Sequence, residues 1–216
     1  MSRPSSVMAW KIAASAALLM ASANHGVHAS YLGSDAARAF MVEMQERHAF
    51  PEATLQRIFA AAERKDSILK AMSRPAERTL EWKDYRKIFM TEDRVRLGKA
   101  FMDKHAPAFE RAEKEMGVPR HVIAAIIGVE TRYGRVTGGH RVIDALATLA
   151  FDYPPRADFF RGELEQFLLL TREQAFDPLQ LKGSYAGAMG YGQFIPSSYR
   201  NYAIDFDGDG VANILD

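Results

Sequence analysis

Apolar side chains recur at helical spacing from Ser34 to Gly134, and this pattern limits the fold more than any other feature of the chain. Residues three and four positions apart share one face of a helix, which such a pattern predicts to be buried. Alternation of apolar and polar residues, the pattern of a half-buried strand, does not occur before Leu181. We therefore predict a mainly α chain. The clearest helical faces carry Phe40, Met41 and Met44, then Leu55, Ile58 and Phe59, then Trp82, Tyr85, Ile88 and Phe89.

A longer, charged helix is predicted from Val95 to Met116. Gly117 is expected to end it, because glycine readily adopts the left-handed backbone angles that close many helices. Pro119 then opens the next helix, since proline suits a first helical turn.

The N-terminal residues have the composition of a secretory signal peptide. Arg3 and Lys11 precede an uncharged apolar run over residues 12–23, and small residues lead up to Ala29. We expect cleavage after Ala29, with cleavage after Ala23 as the second option. An uncleaved anchor is the alternative, although the run is short for a membrane-spanning helix, which needs about 20 residues.

Charge and cysteine content exclude several classes of protein. The formal net charge is +1 and no dense Lys/Arg block occurs, so nothing indicates a nucleic-acid partner. Cysteine is absent, which excludes disulfides, thiolate zinc sites and a lipid-carrying cysteine at the cleavage site. A signal peptide without such a cysteine predicts a protein exported to the periplasm.

Glu130 is the most unusual charged residue, because it continues an apolar face. Ile123, Ile126 and Ile127 precede it by seven, four and three positions in the predicted helix. Burial disfavours the charged form of a carboxyl and would raise its pKa, as a general acid near neutral pH requires. The alternative is a buried ion pair, with Arg132, Arg135 or Arg156 as the partner.

Two loop motifs follow near the C-terminus. Glycines are dense between Gly183 and Gly192, where they permit close approach to a ligand. Asp205, Asp207 and Asp209 then match the start of an EF-hand loop, D-x-D-x-D-G, whose oxygens can converge on one Ca²⁺ ion. The Val211 carbonyl would be the next ligand, and Asp216 occupies the twelfth position. The alternative is an acidic surface turn that binds nothing.

Longer segments resemble one enzyme family. GVETRYGRVTGG, DALATLAFDYPPRADFFRGELEQFL and GSYAGAMGYGQFIPSSYRNYAIDFDGDG resemble, in this order, the lytic murein transglycosylase B family, glycoside hydrolase family 103. The earlier RPAERTLEWKDYRKIF is similar to the same family, and the likeness runs from about Phe40 to Asp216. It implies a mainly α fold in which a lysozyme-like α+β core carries an added N-terminal helical domain and the EF-hand-like loop.

The resemblance also implies a reaction. Members of this family cut the β-1,4 bond between N-acetylmuramic acid and N-acetylglucosamine in peptidoglycan and form a 1,6-anhydro ring. Their single catalytic glutamate corresponds to Glu130, and catalysis needs no cofactor, whereas a Ca²⁺ ion is structural. The substrate's N-acetyl group replaces the second carboxylate of ordinary glycosidases. From spacing alone, no second carboxylate stands out among Asp144, Asp152, Glu163 and Glu165.

Four further positions match groove residues of the family. Ser184 and Gln193 correspond to polar groups beside the glutamate, Tyr85 to an aromatic residue at the groove, and Arg156 to an arginine that meets the stem peptide. Plainer alternatives are a turn-forming role for Ser184 and a core position for Tyr85.

We divide the chain into a signal peptide (1–29), an N-terminal helical region (30–116) and a catalytic core (117–216) that ends before the family's last helices. That early end keeps open a peptidoglycan-binding protein without turnover, and a hydrolytic muramidase is the other alternative. Peptidoglycan glycan strands are the expected partner, whereas no residue pattern specifies a partner among the proteins of wall synthesis or the divisome.

Overall fold

The computed structural model describes residues 30–73 and 80–215. The predicted signal peptide and Asp216 lie outside these residues. None of the described helices is long and apolar enough to cross a membrane. The helices are α1 (Asp35–His48), α2 (Glu52–Ala61), α3 (Asp66–Ser73), α4 (Trp82–Tyr85), α5 (Glu92–Lys104), α6 (Ala106–Met116), α7 (Arg120–Thr131), α8 (Val142–Asp152), α9 (Ala157–Glu173) and α10 (Pro196–Tyr202). The strands are β1 (His140–Arg141) and β2 (Lys182–Gly183), and 3₁₀ turns cover Tyr31–Gly33, Arg86–Ile88 and Pro154–Arg156.

Helix α8 lies at the centre of the hydrophobic core. Every residue from Val142 to Ala150 is buried, as expected for a helix that is apolar on all sides. Helix α9 packs along it through Phe160, Leu164 and Phe167, which are also fully buried. Burial of one such side chain stabilises the fold by about 1.5–3 kcal/mol. The mainly helical prediction is confirmed.

The first helices bury their predicted faces against α8. The Ser34 hydroxyl caps α1 by accepting a hydrogen bond from the Ala37 amide at 3.4 Å. Phe40 of α1 and Phe59 of α2 meet edge to face, with ring centroids 5.8 Å apart. Both rings also contact Phe151 of α8, so the N-terminal helices and the core form one apolar cluster.

The charged side chain of Asp144 connects α8 to the N-terminal helices. Asp144 of α8 is buried, and its carboxylate accepts hydrogen bonds from the Arg141 guanidinium at 2.8 Å and from the Glu63 amide at 2.9 Å. A buried carboxylate needs such partners, because desolvation without them costs several kcal/mol. The beginning of α8 is thereby tied to the segment between α2 and α3.

Three predictions about individual elements are wrong. The helical face of Trp82, Tyr85, Ile88 and Phe89 is not buried, because Trp82 is 72% and Ile88 48% exposed, and the α-helix ends at Tyr85. The charged helix predicted from Val95 to Met116 is broken at His105, because Pro107 cannot donate the helical hydrogen bond and its ring obstructs the preceding turn. A strand also precedes Leu181: β1 pairs antiparallel with β2, His140 opposite Gly183, and two residues are too few to show alternation. The Gly117 end is confirmed, with φ at 70°.

Candidate active site

Glu130 lies in the last turn of α7, and its side chain is exposed. The isoleucines on its side of the helix are uncovered as well: Ile123 and Ile127 are half-buried and Ile126 is 54% exposed. The predicted burial of Glu130 is therefore wrong. Helical spacing establishes that residues share a face, but it does not establish that another element covers that face.

The alternative of a buried ion pair for Glu130 is also wrong. Within residues 30–73 and 80–215, the carboxyl group of Glu130 has neither an ion pair nor a hydrogen bond. Arg132 binds Asp93 of α5 instead, with 2.6 Å between Nη2 and Oδ2. The Glu130 carboxyl group is thus free to meet a ligand at the protein surface.

The backbone turns sharply directly after Glu130. Arg132 and Tyr133 have φ values of 52° and 61°, and Gly134 has 78°, so three successive residues adopt left-handed angles. Such angles are unfavourable for non-glycine residues and persist where the surrounding contacts impose them. The buried Thr131 supplies part of that constraint: its hydroxyl lies 3.1 Å from the carbonyl oxygens of Ile127 and Tyr191 and accepts from the Gly134 amide at 3.0 Å.

The Tyr133 ring also holds the turn after Glu130 in place, because it packs between α5 and α7. A Cβ added at Gly98 of α5 would lie 2.5 Å from the Tyr133 hydroxyl oxygen, and one added at Gly128 would lie 2.6 Å from the ring. Both glycines therefore provide the space that the ring occupies. Thr131 and Tyr133 position the end of α7. Neither role was predicted from the sequence, although both residues belong to the GVETRYG segment that carries Glu130.

The glycine-rich loop joins the α7 side of the molecule through Gln193. Its amide nitrogen donates to the carbonyls of Thr137 at 3.1 Å and Gly190 at 3.0 Å, and its φ is 49°. Gln193 thus has a structural role without a ligand. Gly138 allows the same junction to close, because a Cβ there would lie 2.0 Å from the Gly183 carbonyl.

Ser184 forms a turn, which is the structural role given above as the alternative to substrate binding. Its hydroxyl oxygen accepts hydrogen bonds from the amides of Ala186 at 3.3 Å and Ala188 at 3.1 Å. The hydroxyl hydrogen is not used in these contacts, so Ser184 keeps one donor for a ligand.

Tyr85 and Arg156 lie on separate elements. Tyr85 is half-buried at the end of α4 and borders a cavity that also contacts Val129, the residue before Glu130. Arg156 is exposed before α9, and its guanidinium lies 4.2 Å from the ring centroid of Phe159. The structure brings Tyr85 towards the Glu130 end of α7, while cation–π contact holds Arg156 at the start of α9.

The other four candidate carboxylates all have structural partners. Each accepts hydrogen bonds or forms ion pairs that connect distant segments of the chain, as expected of a carboxylate with a structural role. Asp144 binds the Glu63 amide as well as Arg141, Asp152 binds Tyr31 and Arg64, Glu163 binds the Ser197 amide and hydroxyl, and Glu165 binds Arg47 and His48.

The acidic loop is folded for convergence of its side chains. Carboxylate oxygens of Asp205, Asp207 and Asp209 all lie within 4.8 Å of one another. Hydrogen bonds from the backbone amides of Gly210 and Gly208 help to hold the pKa of Asp205 below its ordinary value. Hard oxygen donors at this spacing fit a Ca²⁺ ion.

Two further contacts frame this loop. The predicted ligand carbonyl of Val211 accepts a hydrogen bond from the Asn213 amide at 2.8 Å. The Arg111 guanidinium of α6 lies 3.9 Å from the Phe206 ring centroid, so the acidic loop is fastened to the helices that precede α7.

Known proteins agree with the resemblance found in the sequence. Residues 33–216 match the family model described as the transglycosylase SLT domain. The chain belongs to this family. It is 50% identical over 189 residues to the membrane-bound lytic murein transglycosylase B of Escherichia coli K12, covering 83% of this chain but 52% of that one. The chain therefore spans about half the length of this curated relative.

Solved structures of the transglycosylase SLT family share the fold. The catenated lytic transglycosylase SltB1 from Pseudomonas aeruginosa matches with a TM-score of 0.83 and 58% identity, over 86% of this chain and 61% of that one. The Escherichia coli lytic transglycosylase Slt35 in complex with calcium matches with a TM-score of 0.81 and 48% identity, over 89% and 62%. SltB3 from P. aeruginosa in complex with NAG-anhNAM-pentapeptide matches with 0.77 and 31%, over 83% and 47%.

Proposed function

We propose that this chain carries the catalytic centre of a lytic transglycosylase that cuts the β-1,4 bond between N-acetylmuramic acid and N-acetylglucosamine in peptidoglycan. The observation that carries the proposal is Glu130, whose exposed carboxyl group has no partner among the described residues. It lies at the end of α7, beside an aromatic cavity, in a chain of the transglycosylase SLT family. Relatives of this chain are named as lytic transglycosylases, and SltB3 has been seen with NAG-NAM-pentapeptide and with NAG-anhNAM-pentapeptide.

Glu130 would act as acid and then as base. In the first step its protonated carboxyl donates the proton to the glycosidic oxygen as the bond from that oxygen to C1 of the muramyl residue breaks. In the second step the muramyl 6-hydroxyl oxygen bonds to C1, and its proton returns to the Glu130 carboxylate. The product is a 1,6-anhydro ring, water is not consumed, and the carboxyl group is regenerated.

The partners of the remaining carboxylates support a mechanism with one carboxylate. Ordinary glycosidases place two free carboxyl groups on either side of the bond. Asp144, Asp152, Glu163 and Glu165 are each engaged in contacts of the fold. A cation at C1 would then be stabilised by the N-acetyl group of the substrate itself, as the family resemblance implies.

We assign substrate-binding roles to four further residues. The Ser184 hydroxyl and the Gln193 amide would bond sugar hydroxyl or N-acetyl groups, and the Tyr85 ring would contact a sugar face. The exposed Arg156 would bind a stem-peptide carboxylate, to which a guanidinium can donate two parallel hydrogen bonds.

The test is mass spectrometry of peptidoglycan after incubation with the chain and with two variants. The Glu130→Gln variant removes the titrating proton, and we expect it to abolish the products. Glu46→Gln is the matched control, because Glu46 is equally charged and exposed but lies on α1. Anhydro-muropeptides from the parent and from Glu46→Gln, but not from Glu130→Gln, are the expected result.

Other outcomes assign a different function. Products with a reducing muramic acid end would identify a hydrolytic muramidase. Co-sedimentation with peptidoglycan and no release of fragments would identify a binding protein.

We also propose that residues 1–29 are an export signal and that the mature protein acts in the periplasm. Cleavage after Ala29 would leave every described contact intact, including the buried Tyr31, whose hydroxyl donates to Asp152 at 2.6 Å. Expression in a Gram-negative host and intact-mass measurement of the periplasmic fraction test this. A mature protein that begins at Ser30 is expected, and one that retains Met1 would contradict it.

A structural Ca²⁺ ion is the last part of the proposal. Asp205, Asp207, Asp209 and the Val211 carbonyl would hold it, and the charge it supplies would offset the repulsion between the carboxylates. The convergence of the three side chains and the calcium complex of the relative Slt35 support this assignment.

A further inference from the structure

A cavity of about 310 Å³ lies beside the end of α7. Its size is at the lower end of the range for small-ligand sites, roughly 300–1,000 Å³. A second cavity of about 170 Å³ shares three of its residues, Phe89, Met90 and Val129, and extends the depression along α7 to Tyr133. The lining of the larger cavity is Trp82, Tyr85, Arg86, Phe89, Met90 and Val129.

The aromatic residues of this cavity form a row. The ring centroids of Trp82 and Tyr85 are 6.3 Å apart, and those of Tyr85 and Phe89 are 5.3 Å apart. Trp82 is the outermost member and is 72% exposed, so its indole contributes little to the core. A large aromatic side chain left in solvent beside a cavity is typical of a binding surface.

Arg86 is the cation that borders the same cavity. Lys83 pairs with Glu81 at 2.8 Å and Lys87 pairs with Asp84 at 2.7 Å. Arg86 has no ion pair within the part of the chain that the structure describes. A guanidinium at the edge of an apolar cavity can donate hydrogen bonds to a carboxylate or to an amide carbonyl.

We propose that Trp82 and Arg86 form an outer saccharide subsite, which holds an N-acetylhexosamine ring of the glycan strand away from the bond that is cut. The C–H face of the ring stacks on the indole, and Arg86 donates to the N-acetyl carbonyl. The cavity reaches Val129, the residue before Glu130, so a strand lying against α7 can touch both. The identity of the strand rests on the proposed function.

This subsite acts on binding and not on the chemical step. Trp82 would contact a sugar ring whose bonds are not cut, so we expect its contacts to be equal in the ground state and the transition state. Long strands would gain affinity from it, and fragments too short to reach it would not. The Trp82→Ala variant is expected to raise KM for long strands roughly tenfold, the loss typical of an anchoring tryptophan, with kcat unchanged.

Binding can be measured without turnover. The chain contains two tryptophans, Trp10 and Trp82, so the Trp10→Phe variant of the full chain reports on Trp82 alone. Its emission is followed while N-acetylglucosamine oligomers of increasing length are added, in a Glu130→Gln background. We expect a saturable change that strengthens with oligomer length and that Arg86→Ala weakens. Tyr202→Ala is the matched control, because Tyr202 is also an aromatic residue with 72% exposure but lies at the end of α10.

The outcomes separate this subsite from the reaction itself. Saturable emission changes without anhydro products from the parent chain would leave the subsite standing and overturn the transglycosylase function. Anhydro products without an emission change, and with an unaltered KM in Trp82→Ala, would overturn the subsite alone. Protection of Trp82 from iodide quenching before any sugar is added would also overturn it, because a polypeptide segment would then cover the indole.

Discussion

Helices α7 and α8 have similar apolar sequences and opposite environments. In α8, every residue from Val142 to Ala150 is buried, including Asp144 with its ionic partner. In α7, Ile126 and Val129 are 54% and 49% exposed, and the carboxyl group of Glu130 beside them has no partner in the part of the chain that the structure describes. Apolar periodicity in the sequence therefore does not distinguish two kinds of helix. Helix α8 is the centre of the packed core, whereas α7 presents an apolar surface with a carboxyl group at its end.

Helix α8 serves the stability of the fold, whereas α7 offers a surface for binding. Side chains of α8 contribute through burial, and their loss leaves a cavity. Exposed side chains of α7 contribute little to folding and are available to contact a ligand. Polar groups follow the same division, because a buried carboxylate must be paired, whereas one that exchanges protons with a substrate must be accessible.

The largest loss of stability is expected from shortening a buried side chain in the core. Leu146→Ala in α8 should lower the free energy of unfolding by about 2–5 kcal/mol, because Leu146 is fully buried. The matched change Ile126→Ala in α7 should stay within about 0.5 kcal/mol, as for other surface substitutions. Urea unfolding followed by circular dichroism measures both. Equal losses would show that α7 is as well covered in solution as α8.

Calcium binding to the acidic loop should cause the next largest change in stability. An ion bound only by the folded state stabilises it by about 2.7 kcal/mol at a hundredfold excess over Kd. Because Phe206 fastens the acidic loop to Arg111 of α6, the thermal transition of the whole chain should rise. Calorimetry with CaCl₂ or with EGTA measures this.

A variant pair makes the calcium result specific. Asp207→Asn should abolish the rise in Tm, while Asp103→Asn, which changes an exposed aspartate of α5, should retain it. An unchanged Tm of the parent chain in millimolar calcium would contradict the site.

A third prediction concerns the packing that positions Glu130. Gly128→Ala should cost about 1–3 kcal/mol, because its methyl group would overlap the Tyr133 ring and force it to move. Displacement of Tyr133 also disturbs the turn after Glu130, so kcat should fall along with stability. Gly162→Ala in α9 is the control: a Cβ there meets nothing within 4 Å, and alanine should stabilise that helix by up to about 1 kcal/mol. Unchanged activity in Gly128→Ala would show that Tyr133 does not position the site.

Much of the fold could be predicted from the sequence, and the errors have physical causes. Faces such as Phe40 and Phe59 were found because apolar spacing and burial coincide in the N-terminal helices. The burial of Glu130 was predicted wrongly, since coverage of a helix depends on distant segments. The role of Thr131 escaped detection, because its partners include Tyr191, sixty residues away in sequence, as the Thr131–Tyr191 hydrogen bond shows. Local patterns specify elements, whereas a site depends on which elements meet.

The smallest change in stability is expected from removing the Arg132–Asp93 ion pair at the end of α7. Hydrogen bonds from Arg132 and then Arg96 hold the pKa of Asp93 below its ordinary value of 3.8. A carboxyl whose pKa is lowered by folding stabilises the protein above the ordinary pKa, and that contribution is lost as the pH falls through the lowered value. The stability difference between the parent and Asp93→Asn should therefore be full near neutral pH and should narrow as the pH falls through the ordinary value of 3.8 towards the lowered one. Because Asp93 is exposed to salt, the difference should also shrink in 1 M NaCl. Urea titrations across this pH range measure it. Asp103→Asn is the control, because Asp103 has no ion pair with any residue that the structure describes. A difference that stays constant with pH would mean that the Arg132–Asp93 pair does not hold the end of α7, and that Thr131 and Tyr133 alone position Glu130.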